Sequence, residues 1–268
     1  RDLKGAPLYY DCSTDDARLT LETALDAQES GAVILNHMRV TSLIRDPDGR
    51  TSGVSVCDQL TGDVHEIKTH AVINATGPWS DRTRSLRGTE APDRLRPTKG
   101  IHVVVDSERL RVHHAVVCFH PVDGRVLFAI PWGERTYIGT TDTDFSGDPA
   151  EVRADSADIR YLLDAANHYF PDAKLVDEDV ISTWAGVRPL IAEESDGNES
   201  SVSREHEIRI DADGLITIAG GKLTTYRRMS AEVVDKAVGL LMLMGHSPDR
   251  LEPARTDSSP LPGGVGWP

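Results

Sequence analysis

The chain has 268 residues, which is enough for one large domain or two ordinary ones. Hydrophobic residues make up 39% of it and charged residues 27%, a composition that supports a packed core and excludes general disorder. The formal net charge of −14 argues against a surface for nucleic acids or anionic membranes, because both need a basic face. Three scattered cysteines, with no metal-ligand spacing among the histidines, predict neither a disulfide framework nor a metal site.

The N-terminal third of the chain combines one helix with short strands. An acidic cap at Asp15 or Asp16 and a stop at Gly31 predict a helix between them. Short apolar runs bounded by turns, such as Asp46–Gly49, predict strands that include a small antiparallel meander inserted in a larger fold. These strands are expected at 8–12, 33–35, 40–44, 54–57 and 64–68.

The segment from His70 to Ser80 marks a change in the pattern. It is an apolar run that ends in a small-residue turn and enters a helix, which is typical of a buried strand in an α/β sheet. Further runs separated by short turns predict an antiparallel sheet, and Ser156–Phe170 has the periodicity of an amphipathic helix. The strands of this sheet are expected at 101–105, 116–120, 126–132 and 136–140.

The last part of the chain returns to strand, turn and helix. Strands are predicted at 206–210 and 215–219, and Gly220 and Gly221 open a helix from Thr225 to Met244. The fold class that follows is mixed α/β, with an antiparallel sheet domain inserted into a parallel one. The predicted division is 1–96, 97–203, 204–246 and a linker at 247–268.

The strongest candidate for chemistry is the turn that contains Gly220 and Gly221. A strand that leads through two glycines into a helix presents unpaired backbone N–H groups at the positive end of the helix dipole. Such a turn suits an anion or the electron-rich edge of a ring. It is not a P-loop, because Leu223 follows Lys222. The alternative is a tight structural turn with a lysine on the surface.

Arg188 is the second candidate. Pro189 keeps it extended, and its neighbours Trp184, Val187 and Leu190 are expected to be buried. An arginine among apolar neighbours needs an anionic partner. An internal carboxylate, such as that of Glu193 or Glu194, or a ligand phosphate bound in a bidentate manner could supply that negative charge.

Two more segments carry polar side chains on predicted strands. His102 follows Gly100 and could accept a proton, or it could be a half-buried histidine with a structural role. The hydroxyl-rich end of the strand at 138–144 could bind a polar ligand or mark a turn. The chain has neither a G-x-G-x-x-G nor a G-x-S-x-G motif, so it has no dinucleotide or hydrolase signature of its own.

Taken together and in this order, these segments resemble the family of FAD-dependent glycerol-3-phosphate dehydrogenases. The most specific matches are Gly-Gly-Lys-Leu-Thr-Thr-Tyr-Arg at 220–227 and Gly-Val-Arg-Pro-Leu at 186–190. Further matching segments lie at 15–19, 74–79, 97–102, 128–132, 138–144, 203–206 and 260–264.

The resemblance implies a partial glycine-oxidase-like FAD domain with an inserted antiparallel-sheet substrate domain. It implies oxidation of sn-glycerol 3-phosphate to dihydroxyacetone phosphate, with hydride passing to N5 of FAD and electrons then passing to quinone. Arg188 and Arg204 are expected to bind the phosphate, and His102, Arg188 and Lys222 to act in catalysis, with His102 accepting the proton of the C2 hydroxyl. The residues expected to contact FAD are Ala75, Thr76, Gly77, Gly220, Gly221, Lys222, Leu223 and Thr224.

A full member of this family begins with a G-x-G-x-x-G unit and ends in a helical domain. The chain is therefore expected to be a central portion of such an enzyme, with an incomplete FAD site. The parent is expected to be cytoplasmic and peripheral to the inner face of the cell membrane, through regions outside this chain, and a homodimer is one assembly open to it. The alternatives are a glycerol-3-phosphate oxidase that uses O₂ and a non-catalytic anion-binding module. A flavin amine oxidase is disfavoured, because two arginines suit a phosphate better than a carboxylate.

Overall fold

The computed structural model describes residues 5–88, 92–192, 205–246 and 252–266. They form two compact units, the first drawn from Arg1–Arg39, Val56–His65 and Pro248–Pro268 and the second from Val40–Ser55 and Glu66–Ser247. In these ranges, no helix has the length and hydropathy needed to cross a membrane. The four-part division expected from the sequence stays a prediction.

The described residues contain four α-helices and twelve strands, numbered here in chain order. The helices are α1 (Asp16–Glu29), α2 (Ser80–Ser85), α3 (Ser156–Tyr169) and α4 (Tyr226–Leu243). The strands are β1 (Met38–Arg45), β2 (Thr51–Asp58), β3 (Val64–Lys68), β4 (Ile73–Asn74), β5 (Leu95–Asp106), β6 (Val116–Phe119), β7 (Val126–Trp132), β8 (Arg135–Gly139), β9 (Thr143–Asp144), β10 (Val180–Ile191), β11 (His206–Ile210) and β12 (Ile216–Gly220).

Helix α1 is the main element of the first unit, and it confirms the predicted start and stop. The Asp15 carboxylate accepts a hydrogen bond from the backbone N–H of Arg18, and Gly31 follows the helix in the left-handed region at φ +94°. The strands predicted at 8–12 and 33–35 are wrong, because both segments are irregular and largely exposed. A strand needs a neighbour for its backbone hydrogen bonds, and no described strand pairs with either segment.

The predicted meander is confirmed as a three-stranded sheet with the order β1-β2-β3. Its first turn is built as the sequence indicates. The Asp46 carboxylate accepts hydrogen bonds from the backbone N–H groups of Asp48 and Arg50, and Gly49 has a φ of +81°. This side-chain-to-backbone bonding explains why an Asp-Pro-Asp-Gly sequence reverses the chain here.

The second unit contains a six-stranded sheet with the order β10-β5-β8-β7-β6, and β9 pairs with β5 beside β8. All of these pairs are antiparallel, as predicted. One face of the sheet packs against α3, whose N-terminus carries a capping box formed by Asp155 and Asp158. The core between sheet and helix contains Ile101, Val103, Val105, Cys118, Leu127, Ala129, Ile138, Leu162, Leu163 and Ala166.

A smaller sheet has the order β11-β12-β4, and it contains the parallel pair expected of an α/β element. Strand β12 pairs with β4 in parallel, through Ile216 opposite Ile73 and Thr217 opposite Asn74. The buried strand predicted before Ser80 is much shorter than expected, because only the two residues of β4 find a partner. Helix α4 packs on this sheet through Ala237 and Leu240.

Candidate active site

The turn after β4 takes its shape from Asn74, whose side chain is only 1% exposed. Its amide Nδ2 donates to the Ser80 carbonyl at 2.9 Å, and its Oδ1 accepts from the Thr76 hydroxyl at 2.7 Å. Gly77 then has a φ of +55° and begins a 3₁₀ turn that leads into α2. One buried amide therefore connects both ends of the turn.

The turn after β12 depends on two glycines in the left-handed region, with φ of +72° at Gly220 and +79° at Gly221. A Cβ on Gly220 would lie 2.5 Å from the carbonyl oxygen of Glu205, and one on Gly221 would lie 2.6 Å from the sulfur of Met229. In this described stretch, no side chain caps the 3₁₀ turn Leu223–Thr225 or the start of α4. The N–H groups of Thr225 and Tyr226 donate to the carbonyls of Lys222 and Leu223, so those of Leu223 and Thr224 are the ones placed to bind a ligand.

A cavity of about 380 Å³ lies between these two turns. Gly77 lines it, and a Cβ at Gly77 would meet no protein atom within 4 Å, so the space beside this glycine is open. Apolar and small residues make up most of its wall, which suits a ring system. The lining residues are Ile73, Ala75, Gly77, Pro189, Ile218, Ala219, Gly220, Tyr226, Met229, Ser230, Val233 and Val234.

The structure brings three of the eight residues expected to contact FAD to this cavity, namely Ala75, Gly77 and Gly220. The other five do not line it. Thr76 bonds to Asn74, Gly221 packs against Met229, and Lys222, Leu223 and Thr224 lie exposed on the turn.

Arg188 lies on β10, next to Pro189 of the cavity wall. Its Nη1 donates to the Asp142 carboxylate at 3.1 Å and to the Thr141 carbonyl at 3.2 Å, and its Nη2 donates to the Thr140 hydroxyl at 3.0 Å. An internal carboxylate was one of the two partners that the sequence left open, and Asp142 fills that role. Glu193 and Glu194, suggested for it from the sequence, lie outside the described residues, as does Arg204.

His102 lies on β5 among aromatic rings. It stacks on Trp184 with ring centroids 5.0 Å apart, and it meets the edge of Tyr137 at 5.8 Å. Gly139 is its register partner on β8, where a Cβ would lie 2.1 Å from Cδ2 of the imidazole. Glycine at this position therefore provides the space that the half-buried histidine occupies.

Arg188 and His102 both lie on the sheet face opposite α3. Gly100 and His102 are two residues apart on β5, so they share a face and lie about 7 Å apart along the strand. The guanidinium of Arg188 sits directly over Gly100, because a Cβ there would lie 2.5 Å from Nη2. An arginine and a histidine thus project from neighbouring positions of one half-exposed surface.

Lys99, which precedes Gly100 on β5, points away to the α3 side. Its ammonium lies 2.6 Å from Asp158 and 2.9 Å from Asp155. Burial alone would lower the pKa of Lys99, but the hydrogen bonds and charges of these two carboxylates outweigh it and raise the pKa. Lys99 therefore anchors the sheet to the helix.

Sequence reasoning missed several residues of this region. Trp184 was expected to be buried, which is wrong: it is 47% exposed and stacks on His102. It shares its strand face with Arg188 four residues on, and the period of two could have indicated this. Asn74, Gly139 and Asp142 lie within the matching segments 74–79 and 138–144, but the sequence indicated no individual role for them. Their contacts depend on the register of distant strands.

Glycine turns around an apolar cavity, next to an antiparallel sheet with a polar face, indicate a flavin-dependent oxidoreductase. The chain belongs to the FAD dependent oxidoreductase family, which matches residues 1–227. It is 48% identical over 234 residues to the aerobic glycerol-3-phosphate dehydrogenase of Staphylococcus haemolyticus, an alignment that covers 87% of this chain and 42% of that protein. The resemblance inferred from the motifs is thereby confirmed.

Solved structures agree with this assignment. The glycerol-3-phosphate dehydrogenase from Bacillus halodurans complexed with FAD has 43% identity and a TM-score of 0.77, over 88% of this chain and 45% of that one. Glycine oxidase from Bacillus cereus, at 20% identity and a TM-score of 0.52 over 87% of this chain and 57% of that one, shares the fold. The chain spans less than half the length of the dehydrogenases it matches.

Proposed function

We propose that this chain supplies the substrate-binding sheet and part of the FAD site of an enzyme that oxidises sn-glycerol 3-phosphate to dihydroxyacetone phosphate. The observation that carries the proposal is the pairing of Arg188 and His102 on one face of the six-stranded sheet, in a chain whose cavity fits a flavin. The names of the dehydrogenases from S. haemolyticus and B. halodurans support the choice of substrate.

The fit to FAD is supported by the open space beside Gly77 and by the uncapped N–H groups that follow Gly221. Ala75, Gly77 and Gly220 would hold FAD at the cavity wall, with Thr76 fixing the turn beneath it. When bound, FAD supplies the hydride acceptor for the oxidation of an alcohol.

Oxidation of the secondary alcohol at C2 removes a hydride from carbon and a proton from oxygen. We assign the proton to a ring nitrogen of His102, whose imidazole is oriented by stacking on Trp184. Arg188 binds the phosphate, together with Arg204, and so sets C2 at a fixed distance from that anchor. We assign to Lys222, exposed on the turn after β12, the role of adding positive charge near the cofactor and the substrate.

We further propose quinone as the electron acceptor, in an enzyme that is cytoplasmic and touches the inner face of the membrane through regions outside this chain. The net charge of −14 supports keeping this portion away from an anionic lipid surface. The word dehydrogenase in the names of both relatives supports quinone over O₂. Hydrogen peroxide formed in step with substrate oxidation would instead identify an oxidase.

The test is an absorbance spectrum of the protein with FAD, followed by anaerobic addition of glycerol 3-phosphate. We expect the bound flavin to bleach with glycerol 3-phosphate and to stay oxidised with glycerol, which lacks the phosphate. Arg188→Ala should raise KM sharply and leave bound FAD unchanged, whereas Arg109→Ala, an exposed arginine of the same unit, should change neither. Binding of glycerol 3-phosphate without reduction of bound flavin would favour the non-catalytic anion-binding module.

A further inference from the structure

One short segment, residues 140–142, supplies the three contacts described above for the guanidinium of Arg188. The Thr140 hydroxyl, the Thr141 carbonyl and the Asp142 carboxylate surround it at 3.0 to 3.2 Å. The side chains of Arg188 and Asp142 are 29% and 16% exposed, so this ion pair is partly shielded from water. Partial burial makes such a pair stronger than an ion pair at the open surface.

This segment is itself attached to the sheet on two sides. The hydroxyl of buried Thr141 accepts from the Ile101 N–H at 3.1 Å, and the Thr141 N–H donates to the Ile101 carbonyl at 3.4 Å. The Arg125 guanidinium donates to the carbonyl of Asp142 from the hairpin between β6 and β7. Asp142 therefore acts from a backbone that is held in place, and it can impose a direction on a flexible side chain.

Gly100 lies in the sheet directly beneath the guanidinium of Arg188. A Cβ at this position would lie 2.5 to 2.7 Å from three atoms of the guanidinium. Gly100 does not occupy the left-handed region, so alanine is allowed by its backbone, and the three atoms nearest to the added Cβ all belong to the movable end of Arg188. Gly100 is therefore needed because it has no side chain, and not because of its conformational freedom.

We propose that Asp142 is a positioning residue that fixes the guanidinium of Arg188 above Gly100 before an anionic ligand arrives. This inference rests on the proposed function, in which Arg188 binds the phosphate of the substrate. An arginine that is already ordered loses less side-chain entropy on binding, so the anion binds more tightly. The order comes from Asp142, Thr140 and Thr141, with Gly100 providing the room.

The sign of the effect separates this role from simple electrostatics. A carboxylate 3.1 Å from Arg188 also repels an incoming phosphate, so Coulomb's law alone predicts that Asp142→Asn would tighten anion binding. Positioning predicts the opposite, because the neutral amide holds the guanidinium less firmly. The measured direction therefore decides between the two.

The experiment compares Asp142→Asn and Gly100→Ala with the unchanged protein. The first variant weakens the holding group, and the second pushes the guanidinium from below without changing any charge. Asp179→Asn is the matched control, because Asp179 is about as shielded as Asp142 and pairs with a different arginine of the same unit, Arg109. The readouts are KM and kcat for glycerol 3-phosphate in the FAD-loaded protein, and the dissociation constant of inorganic phosphate from FAD-free protein by calorimetry.

Both test variants should raise KM and the phosphate dissociation constant by roughly tenfold, with kcat changed less than about threefold. The control should stay within about twofold on each readout. An unchanged or tighter phosphate dissociation constant in Asp142→Asn would overturn the proposal.

Failure of the proposed function has a different signature, which is bound flavin that glycerol 3-phosphate does not reduce in the unchanged protein. In that case the NMR signal of the Arg188 Nε–H, assigned by its loss in Arg188→Lys, still tests the positioning role. We expect a sharp signal in the unchanged protein and in Asp179→Asn, and a broadened one in Asp142→Asn. A signal that stays sharp in Asp142→Asn would refute the role of Asp142 whatever the substrate.

Discussion

The cavity turn at Gly220 and the sheet face at Gly100 both depend on glycine, for opposite reasons. At Gly220 the absence of a Cβ lets two stretches of backbone approach each other. A Cβ added there would lie 2.5 Å from the carbonyl oxygen of Glu205. At Gly100 the missing Cβ makes room for the end of a side chain, the guanidinium of Arg188. Backbone cannot move aside without disturbing its own hydrogen bonds, whereas a guanidinium can. The same substitution should therefore damage the fold at Gly220 and ligand binding at Gly100.

The largest expected effect is that of Gly220→Ala, which tests the backbone half of this comparison. We expect a loss of at least about 3 kcal/mol in the free energy of unfolding, because a left-handed φ and a backbone collision add together. Gly133→Ala is the control: Gly133 has a φ of +58° with no atom within 4 Å of its Cβ, so about 1 kcal/mol should be lost. Urea denaturation measures both, and equal losses would show that the close approach to Glu205 carries no cost.

Asn74→Ala is expected to have an intermediate effect. It removes the amide that shapes the turn beside Gly77, and it takes away the side-chain donor to the buried Ser80 carbonyl. We expect a loss of about 2 kcal/mol in the free energy of unfolding, with weaker FAD binding. Thr83→Val, which removes only the exposed hydroxyl contact to Thr76, should cost less than about 0.5 kcal/mol. An unchanged FAD affinity in Asn74→Ala would show that the Asn74 amide does not determine the shape of this turn.

The smallest expected effect concerns Asp155 on the opposite side of the sheet. The backbone N–H of Asp158 and the Lys99 ammonium lower the pKa of Asp155 to about 2. Because its folded pKa lies below the unfolded value of 3.8, its charge stabilises the fold above that value and loses this effect as pH falls through about 2. Asp155 is 61% exposed, so solvent screening keeps the contribution near 0.5 kcal/mol.

Asp155→Asn keeps the helix cap and removes the charge, so it isolates this contribution. We expect a deficit in unfolding free energy at neutral pH that shrinks as the pH approaches about 2. The control is Asp15→Asn at the cap of α1, where the described contact of the carboxylate is to the backbone of Arg18. A deficit that stays constant down to acidic pH would mean that the carboxylate acts through its shape rather than its charge.

Local signals predicted much of the fold. The cap of α1, the apolar periodicity of α3, the glycine pair that precedes α4 and the turn at Asp46 were all readable, because each depends on residues a few positions apart. The strand predicted at 8–12 failed because its apolar residues meet no partner. Strand β5 is longer than the predicted 101–105 because β10 pairs with it from Leu95 to Val105. Pro97 lies opposite Pro189, so the two prolines, neither of which has a backbone N–H to donate, face each other.

The sequence by itself determined which residues are available for chemistry. It indicated the paired glycines that open α4, an arginine held extended by proline, and a histidine on a strand, since these properties belong to a residue and its immediate neighbours. Only the tertiary structure decided that Asp142 would hold Arg188, that Gly139 would make room for His102, and that Gly77 and Gly220 would border one cavity. Each of these contacts depends on the register between strands or on the packing of separate turns, and long-range pairing of that kind leaves no mark in the local sequence.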